Sequence, residues 1–279
     1  MNYIKLVFQI DDRYQEQFIA ELIDLDFYGF EQFDDKLIAY VEKPRYNDSH
    51  RELIEQMITI YPDSSFRETE EIEEQNWNRT WEKSIRPRRI GNFLVKPTWS
   101  DEKAAGSEIL LEIDPKMSFG TGYHATTRLM LNYMNTVDFK GKTVLDAGTG
   151  TGILAIASIK LGARHATGFD IDTWSEQNAV ENAYINKVAD KVDIRLGSLD
   201  VLEPETQFDI ILANINRSAI MAMISDLIHH AKPFSDILLS GLLATDENII
   251  RDRLDGLDVE IIDKMSEDEW ILIHIKKIK

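Results

Sequence analysis

The residues best suited to chemistry in this chain are two carboxylates set around a run of alternating glycines. In Lys142-Thr-Val-Leu-Asp146-Ala-Gly148-Thr-Gly150-Thr-Gly152-Ile-Leu154 an apolar run ends in an acid, breaks into glycines and resumes as an apolar helical pattern. That order of residue types predicts a buried strand, a tight loop and a helix. Glycine permits the turn and a close approach to the backbone, and the free N–H groups of the helix start face the loop. Such a loop binds a cofactor.

The register of the glycines decides which cofactor. A dinucleotide loop has glycines at its first, third and sixth positions, the last packing the helix beside a pyrophosphate. Here the sixth position is Ile153, the glycines fall at the first, third and fifth, and Asp146 stands two residues before the first. A carboxylate at the mouth disfavours a pyrophosphate and is compatible with a ligand bearing an ammonium group and no phosphate. S-adenosylmethionine is such a ligand. A second acid, Asp170, closes the next apolar run, Ala166-Thr-Gly-Phe-Asp170, 22 residues past Gly148, where a carboxylate can accept both ribose hydroxyl protons. With both acids the pattern resembles the glycine motif of class I methyltransferases.

Two further segments carry polar groups toward the same site. Met117-Ser-Phe-Gly-Thr-Gly-Tyr-His-Ala-Thr-Thr127 is too glycine-rich for an ordinary helix start. Its Gly120-Thr-Gly122 turn can fold back over the pocket, Thr126 and Thr127 can cap a following helix or touch the ligand, and His124 is a candidate general base. At the end of a later strand, Leu212-Ala-Asn214-Ile-Asn216-Arg217 puts an amide beyond the carboxyl edge of the sheet, where open parallel sheets bind ligands; Asn214 orients an amine there or merely caps its strand. The absence of Asn-Pro-Pro-aromatic argues against an exocyclic-amide or adenine acceptor.

The elements that must hold these residues follow from periodicity. Residues 3–10 alternate as a strand, 14–25 have near-helical spacing, 37–41 are a strand, Ser49 to Tyr61 a helix opening with a Ser-His-Arg-Glu capping box, and 65–72 a strand. This is a small α+β layer of the split βαβ kind ending near residue 75. Residues 76–83, with Trp77 and Trp81 four apart, suit a short connecting helix, and 89–97 and 107–113 a hairpin-like lead-in. From about 124 helices alternate with apolar strands at 143–146, 166–170, 192–196, 208–213 and 237–242, the order of a parallel sheet wrapped by helices, closed by a hairpin of 259–263 and 270–275.

At 279 residues and 43% apolar content the chain supports two domains. We expect residues 1–75 as an acidic α+β domain, 76–100 as linker and lead-in, and 101–279 as a Rossmann-like α/β catalytic domain. No apolar run is long enough to span a bilayer and the start reads as a strand, so a cytoplasmic protein is expected. Without cysteine and with scattered histidines, no metal is expected. Residues 1–75 hold 19 acids against 7 bases, much of the net charge of −18. That surface is solvated, or it recognises a basic partner; it repels nucleic acid. A basic stretch follows at Arg79, Lys83, Arg86, Arg88, Arg89 and Lys96.

Taken together, Asn76-Trp77…Trp81, Phe93-Leu-Val-Lys-Pro-Thr-Trp99, Phe119-Gly-Thr-Gly-Tyr-His-Ala-Thr-Thr127, the glycine loop, Gly168-Phe-Asp-Ile-Asp172 and Ala213-Asn-Ile215 resemble the bacterial ribosomal protein L11 methyltransferase (PrmA) family. The resemblance covers most of the chain from about residue 76. It implies a small ferredoxin-like substrate-recognition domain before a seven-stranded methyltransferase domain. It also implies S-adenosylmethionine contacts from Thr127, Gly148, Asp170 and Asn214; with the cofactor-loop glycines Gly150 and Gly152 and with Asp146, which joins Thr127 at the donor's methionine end, these are the expected cofactor-binding residues. The implied reaction is attack of an uncharged lysine or N-terminal amine of L11, free or on the ribosome, on the donor's methyl group, with Asn214 orienting the amine and no dedicated base. The chain departs from the family at Ala125, Thr173-Trp174 and Asn216-Arg217. A nicotinamide oxidoreductase lacks support at position 153, and a non-catalytic S-adenosylmethionine-binding escort of a basic protein is the alternative of another class.

Overall fold

The computed structural model describes residues 2–23, 25–27, 29–73, 85–116 and 118–279. The chain divides into two compact units, Met1–Trp77 and Asn78–Lys279. The connecting helix expected over 76–83, with Trp77 and Trp81, lies outside the described residues.

In the first unit, β1 (Asn2–Gln9), α1 (Asp12–Ile23), β2 (Gly29–Phe33), β3 (Lys36–Glu42), α2 (Asp48–Ile58) and β4 (Ser65–Glu73) build a four-stranded antiparallel sheet in the order β2-β3-β1-β4. This is the ferredoxin-like arrangement. Alternation does the work: Ile4, Leu6 and Phe8 of β1 and Leu37, Ala39 and Val41 of β3 share one buried face, where they join Phe18 and Leu22 of α1 and Ile54 of α2. Phe8 meets Phe18 edge-on at 5.0 Å. Two local expectations change. The cap of α2 is Asn47, in extended conformation, whose side chain accepts from the His50 amide at 3.1 Å, so Ser49 lies inside the first turn. The strand at Gly29–Phe33 was not anticipated, because its residues are only partly buried or exposed and carry no apolar alternation.

The second unit opens with β5 (Arg88–Ile90), β6 (Phe93–Lys96) and β7 (Ile109–Glu112). Only β5 and β6 form a hairpin; β7 lies parallel to β6, since residues 97–108 carry the chain back before it pairs. There follow α3 (Ala125–Met134), β8 (Thr143–Ala147), α4 (Ile153–Lys160), β9 (His165–Asp170), α5 (Thr173–Ile185), β10 (Val192–Leu196), β11 (Phe208–Asn214), α6 (Arg217–His229), β12 (Ala231–Leu243), α7 (Glu247–Leu254), β13 (Val259–Glu267) and β14 (Trp270–Lys277). They form a seven-stranded sheet, β10-β9-β8-β11-β12-β14-β13, parallel except for β14, which runs antiparallel to both its neighbours.

Both faces of this sheet are covered. Val144, Leu212 and Leu238 point to the side of α3 and α4, while Leu145, Ile211 and Leu239 point to α6 and α7. Ile90, Phe93, Val95 and Leu111 of the small sheet join the first of these cores. Strand order reverses between β8 and β11, which opens a crevice at their carboxyl ends. Among the described residues, no helix is long and apolar enough to cross a membrane.

Candidate active site

The glycine loop joins β8 to α4 in a shape that few other residues permit. Gly150 lies at φ +55°, and a Cβ there would run into the Phe119 carbonyl. Gly152 caps α4 at φ +80°, and its added Cβ would meet Ala179 Cα of α5 at 3.2 Å. A Cβ at Gly148, φ +73°, would clash with the side chain of Ile215.

The amides of this loop are already spent. Those of Gly148 and Thr149 donate to the Phe169 carbonyl, Thr151 to Phe119, Gly152 to Thr149 and Gly150 to Asp170 Oδ2 at 2.9 Å. A phosphate cradle needs free N–H groups, and this loop keeps none for one. The engaged loop amides agree with the register of the glycines in favouring a ligand without a pyrophosphate.

Asp146 ends inside the protein, behind the loop. Its Oδ2 accepts from Thr149 Oγ1 at 2.7 Å and from the Ala155 amide at 3.1 Å, tying loop to helix, while Oδ1 has no partner. Burial pushes its carboxyl up to about 6 against the pull of those two hydrogen bonds, and the nearby charge of Asp170 adds to the rise. Asp170 is different. It stands at the carboxyl end of β9 on the cavity wall, and its two oxygens each accept one backbone amide, Gly150 and Asp172. Each oxygen keeps a lone pair for a diol.

The segment before α3 folds onto the glycine loop as its residue types suggested. Thr151 donates its amide to Phe119 O at 2.8 Å and its hydroxyl to Gly120 O at 2.6 Å. The cap of α3 is His124 rather than a threonine: its Nδ1 accepts the Thr126 amide at 3.3 Å and lies 2.8 Å from the Thr126 hydroxyl. Nδ1 is thereby engaged in capping the helix. Thr127, one residue on, is fully buried, and its Oγ1 accepts from Asn214 Nδ2 at 3.4 Å. This contact engages the Asn214 amide nitrogen, while its Oδ1 is buried and without a partner; Asn214 itself is among the residues that border the cavity.

The cavity encloses about 560 Å³. Of the residues singled out in the sequence, His124, Thr126, Gly148, Gly150, Asp170 and Asn214 line it, whereas Thr127, Asp146 and Gly152 are not on its wall; Asp146 bonds to the loop and Thr127 to Asn214. Three asparagines had escaped notice. Asn178, Asn182 and Asn186 lie one turn apart on the buried side of α5. Asn182 exchanges hydrogen bonds with the Asp114 backbone and donates to Thr151 O at 2.9 Å, Asn178 donates to Asp114 O, and Asn186 brackets Glu112. Their spacing of four was visible; that the polar face turned inward was not. The volume, the diol-ready carboxylate, the absence of free loop amides and the orphaned Asn214 oxygen together fit S-adenosylmethionine.

Comparison with known proteins agrees. The family model described as ribosomal protein L11 methyltransferase (PrmA) matches residues 8–278. The chain is 38% identical over 278 residues to the ribosomal protein L11 methyltransferase of Chlorobaculum parvum, covering 97% of this chain and 95% of that protein. The Chlorobaculum tepidum protein of the same name matches to the same extent, 38% over 278 residues. A crystal structure of ribosomal protein L11 methylase from Lactobacillus delbrueckii subsp. bulgaricus superposes with a TM-score of 0.64 at 29% identity, over 70% of this chain and 100% of that one. With the fold, the loop and the cavity all in the expected register, this chain belongs to the ribosomal protein L11 methyltransferase (PrmA) family.

Proposed function

We propose that this chain methylates amines of ribosomal protein L11, at lysine side chains, the N-terminus or both, whether L11 is free or on the ribosome. When bound, S-adenosylmethionine supplies a methyl group already activated by its sulfonium. The protein then has to position, desolvate and orient. Asp170 is assigned to the ribose hydroxyls, the backbone at Gly148 and Gly150 to close packing against the donor, and Asn214 Oδ1 to an N–H of the entering amine. Gly152, Asp146 and Thr127 act through these residues, the first two by holding the loop and the last by aiming the amide. The amine enters uncharged, and its surplus proton leaves to water. The acidic first unit is assigned to the basic substrate, with no readout of nucleic acid, and the cytoplasm is the compartment in which such a substrate is met.

The observation that carries this reading is the buried, unpartnered Asn214 oxygen in a cavity that also holds the Asp170 carboxylate. An unpartnered acceptor on a residue that borders a methyl-donor site suits an amine. The test is to incubate the protein with labelled donor and with ribosomal proteins from a strain lacking the enzyme. Label in L11 is expected. Label in another basic protein moves the acceptor assignment, and measurable donor binding with no label anywhere favours a non-catalytic escort.

A further inference from the structure

The cavity has two ends of different chemistry. Along the carboxyl edge of the large sheet, Gly148, Asp170 and Ser198 follow β8, β9 and β10, whereas Asn214, Gly241 and Trp270 stand on β11, β12 and β14. The first end holds the carboxylate assigned to the donor's diol. The second end is walled by rings. Phe119 and His124 lie 5.2 Å apart at 59°, and His124 and Trp270 lie 4.7 Å apart at 69°. The three side chains pack on one another in tilted and edge-to-face fashion, and all three border the cavity. Among the described residues lining the cavity, Asp170, at the other end, is the carboxylate, and Asn214 Oδ1 is the buried side-chain acceptor left without a partner.

An amine that gains methyl groups loses its N–H donors one by one and ends as a cation whose outer atoms are all C–H. A site built from several acceptors leaves them unpaired as this happens and resists further transfer. A pocket end bordered mainly by rings does so less: an added methyl meets an aromatic side chain, and the charge is attracted to it.

We infer that Phe119, His124 and Trp270 form the acceptor-side wall that holds the methylated, cationic amine and so determine how many methyl groups one nitrogen receives. This rests on the amine-methyltransferase reading above. In each transfer the donor's S–CH3 bond breaks as N–CH3 forms, its electron pair stays on sulfur in S-adenosylhomocysteine, and any remaining N–H proton leaves to water before the next transfer.

The experiment titrates the full chain, saturated with S-adenosylhomocysteine, with Nα-acetyl-trimethyllysine amide and with its uncharged tert-butyl carbon isostere. The charged probe is expected to bind about tenfold tighter than the isostere. That preference should fall toward parity in Phe119→Leu and in Trp270→Leu. Phe119 is 51% exposed, so its replacement does not depend on repacking a core. In the same variants, mass spectra of methylated L11 should shift toward lower methylation states. Charge selectivity in a chain that leaves L11 unlabelled still supports the wall and removes only the acceptor assignment. Equal binding of the two probes, no binding of either, or a preference untouched by both substitutions overturns the inference.

Discussion

Asp146 shows what a single buried carboxyl does to this site. Its folded value of about 6 lies above the ordinary 3.8, so between those values the native state keeps a proton that the unfolded chain has released. Stability from this group is therefore whole below about pH 4 and is lost as the pH rises to about 6. Asp146→Asn removes that loss. The stability of the variant relative to the parent should climb between about pH 4 and 6 by on the order of 1 to 3 kcal/mol and level off above, as read from paired denaturation curves. A difference curve flat across that range would reject a raised carboxyl. Thr127 makes a complementary case. Thr127→Val keeps the shape but removes the oxygen that accepts from Asn214 Nδ2, so the amide is free to turn. We expect kcat to fall about tenfold, about 1.4 kcal/mol in the barrier, with donor affinity changed less than about twofold. Equal losses in both would show a contact with the donor itself.

Helix α5 illustrates how an element serves a site without lining much of it. Its asparagine ladder clamps the strand exit at Glu112–Asp114 and the glycine loop at Thr151 in one rigid unit. Asn182→Ala deletes hydrogen bonds to three backbone groups, of which Asp114 O keeps Asn178 while the Asp114 amide and the buried Thr151 carbonyl lose their side-chain partner, which should cost about 2 to 4 kcal/mol in chemical denaturation. Because one of those groups belongs to the loop, donor affinity should drop as well. Asn186→Ala releases Glu112 and not Thr151, so it should lower stability while sparing donor binding. If both variants behave alike in calorimetry with the donor, the ladder is a fold device only. The helix itself was legible in the sequence; the direction of its polar face was not, since an Asn stripe reads as solvent-facing until a neighbouring strand supplies backbone partners. The caps at Asn47 and His124 were missed for a related reason: several nearby side chains could cap, and the local backbone decides among them.

At the scale of the whole molecule, charge is unevenly shared. In the first unit Lys5, Arg13, Lys43, Arg45 and Arg51 are each paired with an acid, and the excess of acids remains for an outside partner. If that surface recognises a basic protein, the KM for L11 should rise about threefold or more between about 50 and 300 mM salt while the donor Kd holds nearly constant. A salt-independent KM would place recognition on apolar contacts. The second unit has no such bias in its cavity, where apolar and ring surfaces dominate around a few polar atoms.

The strand-loop-helix at 143–154, the closing acid at 170, the alternation of helices and strands and the acidic first quarter were all determined by the sequence, because each depends on local periodicity, glycine's access to positive φ, or a sum of charges. Tertiary structure decided where the loop amides spend their hydrogen bonds, that Asp146 and Thr127 are fully buried, that Asn214 keeps an unpartnered oxygen, and that Phe119, His124 and Trp270 meet. Those outcomes join residues far apart in the chain, and they follow from strand order in the sheet, which no local pattern of residues encodes.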